Sequence, residues 1–226
     1  MKAIILKSLL LSLVVCFGTP AFGQATGTKP ETVPDVIVTR ELPLDVGQLD
    51  GVNYVNNFFG LSLSIPGDWI LVQGRNKEIA QASKKLLANE EAKQRAEFEK
   101  SIEQSTILLS LTRVPSGAPN NASLLVIAER LSSPAIKNGV DALRTLEAMT
   151  KNTSFLVEFQ SGIRSETING VEFGVATIKT TSGTDSFMQK VYMVVKKGYG
   201  VEFFFTYKDP AHLATYDAFM KTVKIK

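Results

Sequence analysis

The sequence predicts an α+β protein in which helices pack against a largely antiparallel sheet. Residues 59–65 and 199–207 alternate between apolar and polar or small side chains, the pattern of a strand with two different faces. Asn169-Gly170 separates two further apolar runs, and this dipeptide is a strong signal for a two-residue hairpin between antiparallel strands. Residues 140–151 instead carry apolar side chains at helical spacing.

The first 23 residues predict a signal peptide. Lys2 and Lys7 precede a short apolar stretch over residues 8–18, and Ala21-Phe22-Gly23 places small residues at the −3 and −1 positions of a cleavage site. We therefore expect cleavage before Gln24 and export to the periplasm or the outside of the cell. The alternative is a retained membrane anchor, but the apolar run is shorter than the roughly 20 residues that span a bilayer.

Removal of residues 1–23 leaves 23 basic and 22 acidic residues of the original 25 and 22, a net charge of +1. This balance provides no electrostatic basis for binding nucleic acid. Cys16 is the only cysteine, and Val15 stands where a lipoprotein needs a small residue. We therefore expect no lipid anchor, no stable membrane span after signal cleavage and no disulfide, thiolate or cysteine metal site in the mature chain.

Residues 24–51 contain three prolines and three glycines and predict a flexible leader with one short strand at 35–40. Residues 52–226 predict a single α+β domain. Its expected extended segments are 59–65, 69–72, 107–114, 123–131, 163–168, 171–178, 186–195 and 199–207.

Three helices are expected in this domain: residues 77–104, residues 140–151 and a final helix after Asp209-Pro210, where Asp209 is the predicted N-cap. The first has an almost wholly polar middle. Glu91 and Arg95, and Arg95 and Glu99, are four residues apart and can form ion pairs along the helix surface. These three residues are our candidate partner surface, with a solvated helix face as the alternative.

Several features resemble the PsbP-like domains. They comprise Tyr54, Asn57, Phe59, Gly60, Leu61, Ser62, Pro66 and Trp69, then the hairpin at Gly170, Gly198-Tyr199, an aromatic strand and a closing helix. The resemblance covers residues 54–226 and implies an α/β/α sandwich built on an antiparallel sheet. The family includes the extrinsic P-subunit of photosystem II, a nuclear-import factor that binds a small GTPase and many exported bacterial proteins. The resemblance thus implies that this chain is a binding or assembly module.

His212 is the only histidine, and with Asp209 and Tyr216 at helical spacing it could form an acid–base or metal cluster. A single histidine without cysteine is a poor metal site, so a simple helix-face residue is the favoured interpretation. The sequence has no Gly-x-Ser-x-Gly elbow and no glycine-rich phosphate loop. We therefore expect no cofactor and no metal.

Phe204 points to the face opposite Phe203 and Phe205, together with Glu202 and Thr206. Either a helix covers this face, or Phe204 lines a ligand pocket or an interface. The helix-covered interpretation is favoured because both faces of a sheet in a sandwich are buried. Trp69 is likewise expected to fill the core.

Three functions follow from these observations. The favoured one is an exported, non-enzymatic binding or assembly module whose partner is another protein. The first alternative is a carrier of a small apolar ligand held between sheet and helix near Phe204. The second is an enzyme with an unrecognised site near His212.

Overall fold

The computed structural model describes residues 44–72, 105–114, 122–131, 133–151, 156–182 and 185–226. The predicted strand at 35–40 and the predicted helix at 77–104, with Glu91, Arg95 and Glu99, lie outside these ranges. The described strands are β1 Gln48–Asp50, β2 Asn53–Asn56, β3 Leu61–Ser64, β4 Ile70–Leu71, β5 Ser105–Thr112, β6 Ser123–Arg130, β7 Leu156–Phe159, β8 Arg164–Ile168, β9 Val171–Ser182, β10 Asp185–Lys196, β11 Tyr199–Tyr207 and β12 Lys224–Ile225. The described helices are α1 Gly139–Thr150 and α2 Leu213–Met220, which follows the 3₁₀ turn Pro210–His212.

The described strands form two antiparallel sheets. The small sheet has the order β1-β2-β3-β12, and the large sheet has the order β4-β5-β6-β11-β10-β9-β7, with β8 also paired to β9. Every strand pair is antiparallel, which confirms the predicted α+β class with a largely antiparallel sheet. In these ranges neither helix is long and apolar enough to cross a membrane.

Both faces of the large sheet are buried, and β11 contributes to two separate cores. Tyr199, Val201, Phe203, Phe205 and Tyr207 share one face, as the alternation predicts, and belong to a core that also contains small-sheet and α2 residues. Phe204 belongs to a second core, together with Leu143, Leu146 and Met149 of α1. The helix-covered interpretation of the Phe204 face is therefore correct.

The hairpin at Asn169-Gly170 is confirmed. The φ angles are 51° at Asn169 and 79° at Gly170, as a two-residue hairpin with left-handed central residues requires. The Asn169 side chain also has a structural role, because its Nδ2 donates to the carbonyl oxygens of Lys221 and Val223 at 2.8 and 2.7 Å. The β8–β9 hairpin is thereby tied to the end of α2.

The first described residues differ from expectation. Strand β1 lies within residues 24–51, which the proline and glycine content assigns to a leader. It is held to β2, since Tyr54 Oη donates to the Val46 carbonyl and Asn56 Nδ2 to the Asp45 carbonyl, each at 2.7 Å. Strand β1 has only three residues, all exposed, which is too short a run for alternation to mark it in the sequence.

The N-terminus of α1 meets the sheet at two glycines. A Cβ atom added to Gly139 would lie 2.5 Å from the Gly174 amide nitrogen and would overlap the Met193 carbonyl oxygen, while one added to Gly174 would overlap the Gly139 backbone. Asn138 caps the helix at this point, where its Oδ1 accepts from the Asp141 amide at 2.9 Å. Backbone therefore packs directly against backbone.

We predict that Gly174→Ala destabilises the domain by about 3 kcal/mol, the upper end of the usual cost of overpacking. The added methyl group would force α1 away from β9 and β10. Urea unfolding of the two proteins measures the difference. Gly67→Ala is the matched control, because nothing lies within 4 Å of a Cβ at Gly67. Equal effects at both positions would contradict the close-contact explanation.

Candidate functional site

His212 lies in the 3₁₀ turn before α2, next to Arg113 at the end of β5. The His212 Nδ1 atom is 3.3 Å from Arg113 Nη1, and Nη2 of the same guanidinium donates to Asp68 Oδ2. A guanidinium can only donate hydrogen bonds, so His212 Nδ1 is the acceptor. The neutral imidazole therefore carries its proton on Nε2. These three residues connect the turn after β3, the end of β5 and the start of α2.

The residues predicted beside His212 do not assemble into an acid–base cluster. Asp209 Oδ1 accepts from the Ala211 amide at 2.9 Å, which confirms it as the N-cap. Tyr216 Oη donates to the Thr206 carbonyl at 2.9 Å. Within the part of the chain that the structure describes, no group of three or more His, Cys, Asp or Glu side chains could hold a metal ion. The arrangement around His212 joins structural elements.

The face of the large sheet around Phe204 contains a buried polar row that sequence reasoning did not identify. Thr112, Ser123, Thr206 and Gln189 lie opposite one another across β5, β6, β11 and β10. All four are buried, and Gln189 Nε2 donates to Thr206 Oγ1 at 3.1 Å. Thr206 is the residue that could have revealed this row from the sequence. In the alternating pattern of β11 it follows Phe205 and therefore points to the Phe204 face. If one strand slipped by one residue against its neighbour, its polar side chain would no longer lie opposite the rest of the row. The row therefore specifies the strand register.

A second polar group joins α2 to β10. Lys190 Nζ and Tyr192 Oη both donate to Asp217 Oδ1, the tyrosine at 2.9 Å. Burial alone would raise the pKa of Asp217, but the hydrogen bonds from Lys190 and Tyr192 outweigh it and hold that pKa below its usual value of 3.8. Burial, and then the hydrogen bond to Asp217, raise the pKa of Tyr192. The charged carboxylate is thus the form that the fold stabilises.

We predict that Asp217→Asn destabilises the domain at pH 7 by about 0.5 kcal/mol, a small value because the group is half-exposed and screened by solvent. The pKa of Asp217 is lowered in the folded state, so its contribution is present above pH 3.8 and is lost as the pH falls through the folded-state pKa. Urea unfolding at pH 7 and pH 3 should show a smaller difference between the two proteins at the lower pH. A difference that is the same at both values would contradict this assignment.

Exposed apolar side chains are concentrated at the N-terminal edge of the small sheet. We call Val46, Leu49, Val52 and Val55 the apolar hairpin; between 41% and 52% of each residue is exposed. They lie on β1 and β2 and in the flanking turns, where Gly51 adopts a φ of 57°. Among the described strands only β2 pairs with β1. This part of the molecule thus combines apolar side chains with the edge of a sheet.

Comparison with known proteins identifies similar structures only. No protein-family model matches the chain, and no curated protein matches its sequence. Cyanobacterial PsbP from Synechocystis sp. PCC 6803 is similar with 10% identity and a TM-score of 0.48, over 80% of this chain and 98% of that one. LpqN of Mycobacterium tuberculosis, described as involved in cell envelope biogenesis, has 11% identity and a TM-score of 0.38 over 74% and 83% of the two chains. A Pseudomonas aeruginosa protein of unknown function, described as a putative regulator, has 16% identity and a TM-score of 0.40 over 52% and 81%.

With TM-scores of 0.38–0.48, these similarities do not assign the chain to a family. At 10–16% identity they concern the fold alone. The function is therefore argued below from the residues of this chain.

Proposed function

We propose that this chain is an exported, non-enzymatic binding or assembly module whose partner is another protein. The observation that carries the proposal is the apolar hairpin. Four of the seven strongly exposed large apolar residues of the described ranges fall within residues 46–55. The register places Leu49 opposite Tyr54 and Val55 opposite Gln48, so the apolar hairpin exposes apolar side chains on both faces of the sheet beside its edge strand.

The position of the apolar hairpin favours a protein partner. Strand β1 is the edge of the small sheet, and its exposed backbone can accept a further strand. Addition of a partner strand supplies affinity through main-chain hydrogen bonds, while neighbouring side chains supply specificity. Leu49 and the flanking Val46 and Val52 are placed to contact the side chains of such a strand.

The two alternative functions receive less support. A carrier of a small apolar ligand requires Phe204 to face a cavity, but this ring is fully buried among the side chains of the second core. An enzyme near His212 requires a free acid or base beside it, but Asp209 and Tyr216 are engaged with backbone groups. A second proposed contact region consists of Glu91, Arg95 and Glu99. Charge reversal at Glu91 and Arg95 tests it, and the expected result is weaker association with the partner.

We predict that a photo-crosslinking amino acid placed at position 49 forms an adduct with a partner protein in the native host. The same amino acid at position 156 is the matched control, because Leu156 is a comparably exposed apolar residue, 57% against 41%, on a strand of the other sheet. Gel separation and mass spectrometry of the adducts provide the measurement.

The expected adduct forms at position 49 and decreases when an excess of the unmodified chain is added. Formation of the same adducts at positions 49 and 156 would show non-specific contact. Absence of any adduct at position 49, with the protein folded and present, would contradict the proposed role of the apolar hairpin.

We predict that the chain isolated from its exporting host begins at Gln24, because residues 1–23 have the three regions of a signal peptide. The intact mass under denaturing conditions tests this directly. Ala21→Leu is the informative variant, since a large side chain at the −3 position should block cleavage. A mature mass that still includes residues 1–23 would contradict the proposed processing.

A further inference from the structure

We infer that a corner of the large sheet, formed by Phe58, Tyr199, Lys196 and Lys197, is a second binding site that accepts an acidic segment of a protein. We call these four residues the aromatic–lysine corner. The inference goes beyond the proposed function, because the site lies on other strands than the apolar hairpin and selects a partner by charge. Either site can be present without the other.

The strand register brings aromatic and cationic residues together at this corner. Tyr199 begins β11 and lies directly opposite Lys196 of β10 on one side and Arg130 of β6 on the other. Directly opposed residues share a face, so Tyr199 stands between two cations. The loop after β2 brings Phe58 edge-on to the Tyr199 ring, with 5.8 Å between ring centroids.

Lys197 completes the corner from the turn that joins β10 and β11. Its Nζ lies 4.9 Å from the centroid of the Phe58 ring, within the range of a cation–π contact. Within the described ranges neither Lys196 nor Lys197 forms an ion pair. The charges of the two lysines therefore lie beside two partly exposed rings. A carboxylate-bearing segment complements this charge, and its apolar side chains complement the rings.

The backbone of Lys197 adopts a conformation in which lysine is less usual than asparagine or glycine. Lys197 has a φ of 52° in the turn Lys197-Gly198, a left-handed conformation in which asparagine and glycine are favoured. The other two-residue turn with left-handed central residues has Asn169 at the equivalent position, with a φ of 51°. There the asparagine side chain binds two carbonyl groups. At Lys197 the side chain instead contacts the Phe58 ring, and the residue is exposed.

The aromatic rings favour a protein segment over an anionic membrane surface. Phe58 packs edge-on against Phe59, at 4.8 Å between centroids, as well as against Tyr199. Phe59 is fully buried, so Phe58 is held to the core by this contact. Insertion into a membrane interface needs an apolar side chain that can enter the acyl region, whereas a fixed, half-buried ring provides a contact for a side chain of a partner.

The test uses the variant Lys197→Asn in the full mature chain, because asparagine suits the turn and removes both the charge and its contact with the Phe58 ring. The matched control is Lys137→Asn, which removes an exposed lysine from the loop before α1. The probe is a synthetic nine-residue peptide that repeats glutamate, aspartate and leucine three times. A second peptide carries glutamine and asparagine instead of the acidic residues. Titration into ¹⁵N-labelled protein, followed by amide chemical shifts, reports both the affinity and the location of binding.

We expect the acidic peptide to shift the amides of Phe58, Tyr199 and Lys197, and the neutral peptide to bind more weakly. Lys197→Asn should weaken binding of the acidic peptide about fivefold and leave the unfolding midpoint unchanged or higher, whereas Lys137→Asn should change neither. Unchanged affinity in Lys197→Asn, or shifts located away from the corner, would overturn the inference. So would binding to phosphatidylglycerol vesicles that depends on Lys197 without binding of the peptide. The crosslinking result at position 49 stands independently of all these outcomes.

Discussion

The contact between Gly139 and Gly174 is the constraint on which the second core depends. Because neither residue has a Cβ atom, the first turn of α1 can lie directly on the backbone of β9 and β10. This brings Leu143, Leu146 and Met149 onto the sheet, where they cover Val191, Met193 and Phe204. A side chain at either glycine would separate helix and sheet by the thickness of a methyl group. The apolar side chains that close the second core would then lose part of their contacts.

The first core is held together by aromatic rings that join α2 to the large sheet. The ring centroid of Phe205 on β11 lies 4.6 Å from that of Tyr216 and 5.7 Å from that of Phe219, both on α2. Trp69 is buried, as the sequence predicts, and its ring centroid lies 6.2 Å from that of Tyr216. A chain with a single cysteine cannot form an internal disulfide, so burial of this kind is the main source of its stability. The hydrogen bonds of Asp217 and Asn169 fix the position of α2. Burial of the apolar rings supplies most of the free energy of folding.

The parts of the fold that could be predicted are those with a local signal. Alternation identified both faces of β11, and Asn169-Gly170 identified a hairpin, because each depends on residues adjacent in sequence. The division into two sheets could not be predicted, since β12 has only two residues and β1 has no buried face. The same limit applies to the candidate sites. Arg113 and His212 are 99 positions apart, and the left-handed backbone of Lys197 has no signature beyond the following glycine.

The small sheet joins the two ends of the described chain. Its strands β1, β2 and β3 come from residues 48–64, whereas β12 comes from residues 224–225, and Ile225 pairs with Leu61. The sheet therefore cannot be completed until residues 224–225 have left the ribosome. Pairings of such long sequence separation form late and slowly, because the intervening loop must be ordered first. During synthesis the N-terminal strands therefore lack the strand that pairs with β3 in the folded protein. The nascent chain remains incompletely folded for longer than a protein built from local contacts.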